Sequence, residues 1–127
     1  MNNAISTPNA PAAIGPYSQG IQAGSTLFVS GQLPIDPATG AFAGEDIASQ
    51  TRQSLTNIKN ILAAAGASMN DVVKTTVMLK NIGDFAAMNA VYAEFFTENC
   101  PARACFAVKD LPKGALVEIE AVACKES

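Results

Sequence analysis

The sequence of 127 residues contains no histidine and no tryptophan. Without histidine, one chain cannot build a Ser-His-Asp triad or a Cys-His pair, and it lacks a ligand that most zinc sites use. Any catalysis must therefore come from carboxylates, Arg, Lys, Tyr, a thiol or the backbone.

Positive charge is also scarce. Lys and Arg number 8 against 11 acidic residues, the net charge is −3, and no Lys or Arg precedes Arg52. Modules dedicated to nucleic acids neutralise phosphates with clustered Lys and Arg, so this balance disfavours nucleic-acid binding as the main role. The N-terminus shows no basic region ahead of an apolar segment, and no apolar run approaches about 18 residues. We therefore expect neither a secretory signal nor a membrane span.

Cysteine is limited to Cys100, Cys105 and Cys124, which form neither a CxxC pair nor an even framework for disulfides. This usage indicates a reducing compartment, and we expect a cytoplasmic protein whose thiols serve mainly as small packed residues. A metal site would need thiols and carboxylates from distant segments. The sequence therefore predicts neither a bound metal nor a cofactor.

The composition, 49% hydrophobic and 15% charged, is typical of a globular chain, and we expect a single domain over residues 1–127. Apolar spacing and turn residues predict a hairpin at 17–34, a turn at 36–40, and strands at 71–79, 102–108 and 115–124. They also predict two helices. The first spans 46–65, with Asp46 as N-cap and Gly66 as stop, and the second spans 84–99, with Asp84 as candidate cap. Two helices cannot cover both faces of a six-stranded sheet. The predicted fold class is therefore α+β, a six-stranded mixed sheet with both helices on one face.

Alternation along the strands divides their side chains between the two faces. We expect the helix-covered face to receive Val73, Thr75, Val77, Leu79, Ala102, Ala104, Phe106, Val108, Val117, Ile119, Ala121 and Ala123. The other face would hold Met78, Cys105, Ala107 and Val122 with a few charges. Such a face is too apolar for solvent, so we predict a homo-oligomer in which another subunit covers it.

Arg103 lies in the nearly apolar segment PARACFAV and is one of only two arginines. A guanidinium keeps its proton, so burying it without a partner is costly. If the turn at 109–114 joins two antiparallel strands, Arg103 lies opposite, or one pair diagonal to, Glu118 and Glu120. The residues alone leave two roles open. One is a cross-strand ion pair at a subunit interface, which the spacing slightly favours; the other is a grip on a substrate carboxylate beside a glutamate that acts as general base on water.

Three further positions have both a structural and a functional interpretation. Asn89 falls on the apolar stripe of its helix, where its amide needs either a helix-to-strand hydrogen bond or a place in the site. Ser30 and Gly31 end an apolar strand, which fits a β-bulge or turn as well as close approach to a ligand. Cys105 is interpreted as a packed residue rather than a nucleophile, because no histidine can activate it.

Seven segments spread along the chain carry a resemblance to a known family: APAAIGPYSQG, VSGQLPIDPATG, QTRQSLTNIKNIL, DVVKTTVMLKNIGDF, MNAVYAEFF, PARAC and LPKGALVEIEAVA. Together they resemble the RidA/YjgF family of reactive-imine deaminases. The resemblance implies a chorismate-mutase-like α+β fold and a homotrimer whose sheets line a central barrel, with three clefts between subunits. It also implies hydrolysis of 2-iminopropanoate and 2-iminobutanoate to 2-oxo acids and ammonia without metal or cofactor.

The resemblance further implies roles for individual residues. Arg103 would bind the substrate carboxylate and Glu118 would activate the attacking water, which leaves Glu120 as a structural partner. The cleft would be lined or supported by Cys105 (largely through its backbone N–H), Tyr17, Ser30, Gly31 and Asn89. Ala104 stands where many relatives have Ser or Thr, and since alternation turns it toward the helices we expect little effect.

This chemistry suits a chain without histidine, because a 2-imino acid is already electrophilic and needs only to be held beside an activated water. The same family includes proteins described as ribonucleases, chaperones and binding proteins, and a fold alone does not decide among them. A chaperone-like or metabolite-binding protein is therefore the main alternative, while charge and the lack of histidine disfavour RNA cleavage. The presence of both Arg103 and Glu118 favours the deaminase.

Overall fold

The computed structural model describes residues 2–125, in which six strands form one sheet and two α-helices pack against it. The elements are β1 (Asn3–Ile5), β2 (Gly20–Ala23), β3 (Thr26–Gln32), α1 (Ile47–Ala64), β4 (Val72–Leu79), α2 (Phe85–Phe95), β5 (Ala102–Ala107) and β6 (Val117–Cys124). The strand order is β1-β2-β3-β6-β4-β5, with β4 and β5 parallel and the other neighbours antiparallel. The predicted α+β class with a six-stranded mixed sheet is confirmed, although the pattern had not singled out β1.

The limits of α1 follow from local signals. The Asp46 carboxylate accepts a hydrogen bond from Ser49 N at 2.7 Å, which caps the first turn as predicted. At the other end Gly66 has a φ of 76°, and Ala67 N donates to Leu62 O at 2.9 Å. A left-handed residue in this position is favoured by glycine, so the predicted stop is confirmed.

The second helix is shorter than expected. It ends at Phe95 rather than near residue 99, and Asp84, in a short 3-10 turn before it, makes no side-chain hydrogen bond to cap it. Pro101 disfavours helical geometry in the residue before it, and Asn99 has a left-handed φ of 48°. The chain must therefore leave the helix before the proline.

The predicted hairpin of β5 and β6 is wrong. β5 is the parallel neighbour of β4, whereas β6 lies between β3 and β4. A parallel neighbour requires a crossover, and α2 provides it between β4 and β5. After β5 the chain passes the end of β4, where Val108 N donates to Leu79 O and Lys80 N donates to Leu116 O, each at 2.9 Å. β6 thereby reaches the centre of the sheet and gains two neighbouring strands.

The faces of β5 are opposite to our expectation. Thr75 pairs in register with Arg103, and Val77 pairs with Cys105, so these side chains share the helix-covered face. The helix-free face instead receives Ala102, Ala104 and Phe106. Alternation along β5 yields two sets of side chains but does not say which set faces the helices. The register with β4 determines that Arg103 and Cys105 do.

A β-bulge accounts for one further error on β4. The register with β6 shifts between Val72 and Lys74, so Val72 is buried while Val73, predicted inward, is 46% exposed. The remaining inward positions predicted on β4 and β6 are confirmed as buried: Thr75, Val77, Leu79, Val117, Ile119, Ala121 and Ala123.

The helix-free face is apolar in large part, as predicted, but its members differ. It carries Phe28, Met78, Phe106 and Val122, among which Phe28 and Phe106 are 49% and 46% exposed. Glu118 and Glu120 alternate with the buried residues of β6 and therefore point to this face too. That a second subunit covers it stays a prediction.

Candidate active site

A groove of about 880 Å³ lies between the N-terminal arm (residues 6–18), the loop after β3 and the turn before β6. Its lining includes four of the predicted site residues, Tyr17, Ser30, Gly31 and Glu118, which we call the glutamate cluster. Glu120 and Lys113 also line the groove. Tyr17 is 52% exposed, so its ring remains available to a molecule in the groove.

A bulge in β3 shapes the glutamate cluster. The register between β3 and β6 shifts between Val29 and Gln32, which confirms the β-bulge interpretation of Ser30 and Gly31. Ser30 N donates to Gln19 O at 2.9 Å, and Ser30 Oγ donates to Ser18 O at 2.6 Å. Ser30 is thus held by the two residues that precede β2.

Gly31 lies in direct contact with the side chain of Glu118. A Cβ atom at Gly31 would lie 2.7 Å from Glu118 Oε2 and 3.1 Å from its Cδ. These distances are shorter than van der Waals contact allows, so a side chain at Gly31 would displace the carboxylate. The glycine therefore lets the Glu118 carboxylate pack directly against the backbone of the bulge.

The environment of Glu118 favours its protonated form. Burial raises the pKa of this carboxyl above 4.5, and the nearby Glu120 raises the pKa further by charge repulsion. A carboxylate whose pKa is shifted toward neutrality is suited to accepting and returning a proton near neutral pH.

Arg103 lies on the opposite face of the sheet. Its Nη1 donates to Asn89 Oδ1 at 2.6 Å, and its guanidinium carbon lies 4.7 Å from the centre of the Tyr92 ring and 5.5 Å from that of Phe85. We call Arg103, Asn89, Cys105 and Tyr92 the arginine cluster. The helix-to-strand hydrogen bond predicted for Asn89 is confirmed, and its partner is the arginine itself.

Tyr92 anchors the arginine cluster to the core. Its hydroxyl shares a hydrogen bond of 2.7 Å with Thr75 Oγ1, both residues are buried, and the guanidinium packs over its ring. Cation–π packing and the Asn89 bond together restrain the guanidinium while leaving most of its five N–H donors free for other acceptors.

Cys105 packs against the hydrophobic core beside Arg103. Burial raises the pKa of its thiol, and the Arg103 charge offsets only part of that effect. A thiol that resists ionisation is a poor nucleophile, which agrees with its interpretation as a packed residue.

The structure does not bring the two clusters together within one chain. Arg103 lies on edge strand β5 and faces α2, while Glu118 lies on β6 and faces the groove, with β4 between the two strands. The predicted pairing of Arg103 with Glu118 or Glu120 is therefore wrong within the chain. Among residues 2–125 the ion pair that forms joins Arg52 to Glu94 at 3.1 Å, and both side chains are about half exposed.

Sequence reasoning missed two residues that build these clusters. Tyr92 had been assigned to the apolar stripe of its helix without a polar role, although a tyrosine in a core stripe needs a partner for its hydroxyl. Gln19, in the segment YSQG, is buried although its neighbours gave no sign of a core position. The signal that could have found both is a polar group at a position that burial requires to be satisfied.

Two further features bear on the site. No group of three or more Cys, Asp or Glu side chains within residues 2–125 is arranged to hold a metal ion. In the same part of the chain, neither helix combines the length and the apolar character needed to span a membrane.

Comparison with known proteins gives concordant matches. The family model described as Endoribonuclease L-PSP matches residues 7–125. A RutC family protein of Pyrococcus horikoshii is 60% identical over 126 residues, which cover 99% of this chain and 100% of the relative. A 2-iminobutanoate/2-iminopropanoate deaminase of Salmonella typhimurium is 54% identical over 128 residues, covering 98% and 99%. The crystal structure of E. coli TdcF with bound serine has a TM-score of 0.94 at 46% identity and covers 98% of this chain and 99% of that one.

Proposed function

This chain belongs to the RidA/YjgF family, whose family model is described as Endoribonuclease L-PSP, and on that basis we propose that it hydrolyses short 2-imino acids. The products are a 2-oxo acid and ammonia, and we propose that neither metal nor cofactor takes part. The observation that carries the proposal is the Glu118 carboxylate, held in the groove with a raised pKa and packed against the backbone of the bulge at Gly31. A relative that is 54% identical along nearly its full length is named for this reaction.

Glu118 is proposed to act as the general base and then as the general acid. It takes a proton from water while the hydroxyl oxygen bonds to the imine carbon and the C=N electron pair moves to nitrogen. The protonated carboxyl then gives this proton to nitrogen, which completes a neutral carbinolamine. Glu118 next takes the hydroxyl proton and passes it to the same nitrogen, so the C–N bond breaks with its electron pair, the C=O bond of the 2-oxo acid forms and ammonia leaves. One water is consumed for each ammonia released. A pKa raised toward neutrality suits these proton transfers.

Arg103 is proposed to bind the substrate carboxylate. A guanidinium can donate two parallel hydrogen bonds to a carboxylate, and this one is already oriented by Asn89 and by the ring of Tyr92. Cys105 would contribute mainly through its backbone N–H, while Tyr17 and Ser30 would line the other side of the bound molecule.

The two clusters can share one substrate only if they come from different copies of the chain. Arg103 and Glu118 lie on opposite faces with a strand between them, and the helix-free face exposes Phe28 and Phe106. A second copy that covered this face could bring its own Arg103 to the groove. We therefore propose a homotrimer with its active sites between subunits, with the helix-free faces lining a central barrel.

The first experiment measures keto-acid release from imines generated in situ by a threonine dehydratase. Arg103→Ala is compared with Arg52→Ala, because these are the two arginines of the chain and Arg52, which forms an exposed ion pair with Glu94, belongs to neither cluster. We expect Arg103→Ala to lose about 10²-fold or more in kcat/KM and Arg52→Ala to remain near wild type. An Arg103→Ala protein that keeps its assembly and its full rate would contradict the proposal.

A second experiment tests the origin of the two clusters. Arg103→Ala and Glu118→Gln chains carrying different tags are co-expressed, and the mixed assemblies are isolated through both tags. If each site takes its arginine from one subunit and its glutamate from another, every mixed trimer keeps one intact site of three. Mixed assemblies then recover about a third of the wild-type activity although each parent is inactive. Mixed assemblies as inactive as their parents would mean that both residues act within one chain or not at all.

The description of the matched family as an endoribonuclease makes RNA cleavage the second candidate. The charges of the groove disfavour RNA cleavage. Glu118 and Glu120 line the groove and Lys113 is the cation among its lining residues, whereas phosphates are bound by clustered positive charge. Highly purified protein that cuts RNA, together with a Glu118→Gln variant that does not, would favour the ribonuclease.

A further inference from the structure

Gln19 is a buried side chain whose hydrogen bonds all go to the N-terminal arm. Its Oε1 accepts from Thr7 N at 2.7 Å, and its Nε2 donates to Thr7 O at 3.0 Å, Ala10 O at 3.2 Å and Pro11 O at 2.8 Å. The residue is 4% exposed. One amide therefore satisfies four backbone groups of a segment that has no helix or strand of its own.

The arm that Gln19 holds is a wall of the groove. Pro8, Pro11 and Ile14 line it from the arm, facing a loop that contributes Leu33 and Ile35. Within residues 2–125 the arm has two further side-chain tethers from outside it, from Asn60 Nδ2 on α1 to Asn9 O at 2.9 Å and from Ser30 Oγ to Ser18 O at 2.6 Å. Since pairing along a sheet does not fix residues 6–18, this wall depends on such side-chain bonds.

Gln19 also connects the arm to the glutamate cluster. Its backbone oxygen accepts from Ser30 N at 2.9 Å, and the oxygen of the preceding Ser18 accepts from Ser30 Oγ at 2.6 Å. Gly31, next in the bulge, is the residue against which Glu118 packs. Gln19 is therefore bonded both to the apolar wall and to the bulge against which the Glu118 carboxylate packs.

We propose that Gln19 is a positioning residue that holds the arm as a wall of the groove, and that this wall contacts the side chain of the bound 2-imino acid. The inference rests on the proposed function. A groove of about 880 Å³ exceeds what an acid of three carbons fills, so a methyl side chain leaves the wall untouched, while a branched apolar side chain reaches it. Gln19 thereby supports the hydrolysis of imino acids with larger apolar side chains and leaves that of the shortest ones unaffected.

The test compares Gln19→Met with Gln22→Met. Methionine matches glutamine in length and lacks its amide. Gln22 lies three residues further on, in β2, where its side chain bonds to Gly24 O and not to the arm. An L-amino-acid oxidase supplies the imines of alanine and leucine in separate reactions. For Gln19→Met we expect kcat/KM on the leucine-derived imine to fall about tenfold, through KM, with the alanine-derived imine within about twofold of wild type. Gln22→Met should match wild type on both.

Hydrogen exchange measures the positioning role without reference to activity. Amides in residues 7–12 should exchange faster in Gln19→Met than in wild type, while amides of β6 stay unchanged. If Gln19→Met does not fold, Gln19→Glu replaces it, since the carboxylate keeps an acceptor for Thr7 N but loses both donors. The same selectivity change is expected from that variant.

Three outcomes overturn the inference. Equal losses on both imines would mean that Gln19 supports the fold rather than a side-chain wall. Unchanged exchange in residues 7–12 would remove the positioning role even in an active enzyme. Wild-type protein inactive on both imines would end the proposed function and with it the side-chain contact, while the exchange data would still decide whether Gln19 holds the arm.

Discussion

The glutamate cluster and the arginine cluster hold their charges in opposite ways. Glu118 lies in a groove whose walls remove water from it, and its neighbour Glu120 repels its charge, so its pKa is raised. Arg103 lies over the ring of Tyr92 and donates to Asn89, both of which stabilise a permanent positive charge. A proton carrier has to change its charge easily, whereas an anchor for a carboxylate has to keep its charge, and each environment suits one of these tasks.

The separation of the two clusters within the chain matters for the same reason. A guanidinium beside a carboxylate lowers the pKa of the acid, and an ion pair inside one chain would cancel the effect of burial on Glu118. Because β4 lies between the two strands, Arg103 of the same chain does not lower the pKa of Glu118, and its own guanidinium stays available to bind a carboxylate. The following variants test this contrast, from the largest expected effect to the smallest.

Glu118→Gln should abolish most of the turnover. The amide cannot accept the proton of water, so we expect kcat to fall by about 10²-fold or more with little change in KM. Steady-state keto-acid release measures both constants. Glu120→Gln is the matched control. A larger loss of kcat in Glu120→Gln than in Glu118→Gln would show that Glu120, and not Glu118, is the general base.

Gly31→Ala should reduce turnover by displacing the same carboxylate. The new Cβ would lie 2.7 Å from Glu118 Oε2, so the carboxylate must move to relieve the contact, and a misplaced catalytic group costs about 10- to 100-fold in kcat. Gly83→Ala is the matched control, because a Cβ there meets no atom within 4 Å. Full activity in Gly31→Ala would show that the packing of Glu118 against the bulge does not serve the reaction.

Asn89→Ala should act mainly on substrate binding. It removes the hydrogen bond of 2.6 Å that orients Arg103, and we expect KM to rise about 3- to 10-fold with kcat changed less. Tyr92→Phe keeps the ring under the guanidinium and loses only the bond to Thr75, so it should leave KM near wild type. A loss confined to kcat in Asn89→Ala would contradict the proposal that the arginine cluster serves substrate binding while the glutamate cluster serves proton transfer.

The smallest effect concerns stability and pH. In the folded chain Glu118 keeps its proton above the ordinary pKa of 4.5, so between 4.5 and its raised pKa the folded state binds more protons than the unfolded state. The free energy of unfolding therefore falls as pH rises through that window. Glu118→Gln removes this loss and should have a higher Tm than wild type at about pH 8, with the difference vanishing below the ordinary pKa. A wild type that is the more stable protein at high pH would indicate that a cation from a second copy outweighs burial.

Parts of the candidate site could be predicted from residue types and local spacing. Asn89 was expected to bond from helix to strand, the Ser30–Gly31 pair to form a bulge, and Cys105 to pack, and the structure confirms each. These features depend on contacts or on backbone geometry close to the residue itself. The placement of Arg103 beside Glu118 was wrong because it depended on which strand becomes the neighbour of β5. The role of Gln19 was missed because its partners lie eight to twelve residues away in a segment without periodicity.

By itself, the sequence determined most of the elements and the limits of α1, although not β1 or the end of α2. Asp46 and Gly66 bound α1, and the strict alternation of VEIEAVAC separates buried from exposed residues on β6, because caps and side-chain periods are properties of a few adjacent residues. Tertiary structure alone decided that β6 enters the centre of the sheet, that β5 turns Arg103 toward α2, and that the base and the anchor lie on opposite faces. Strand order and the choice of face depend on pairing between distant segments and on the crossover through α2. They become defined only when the chain closes around its core.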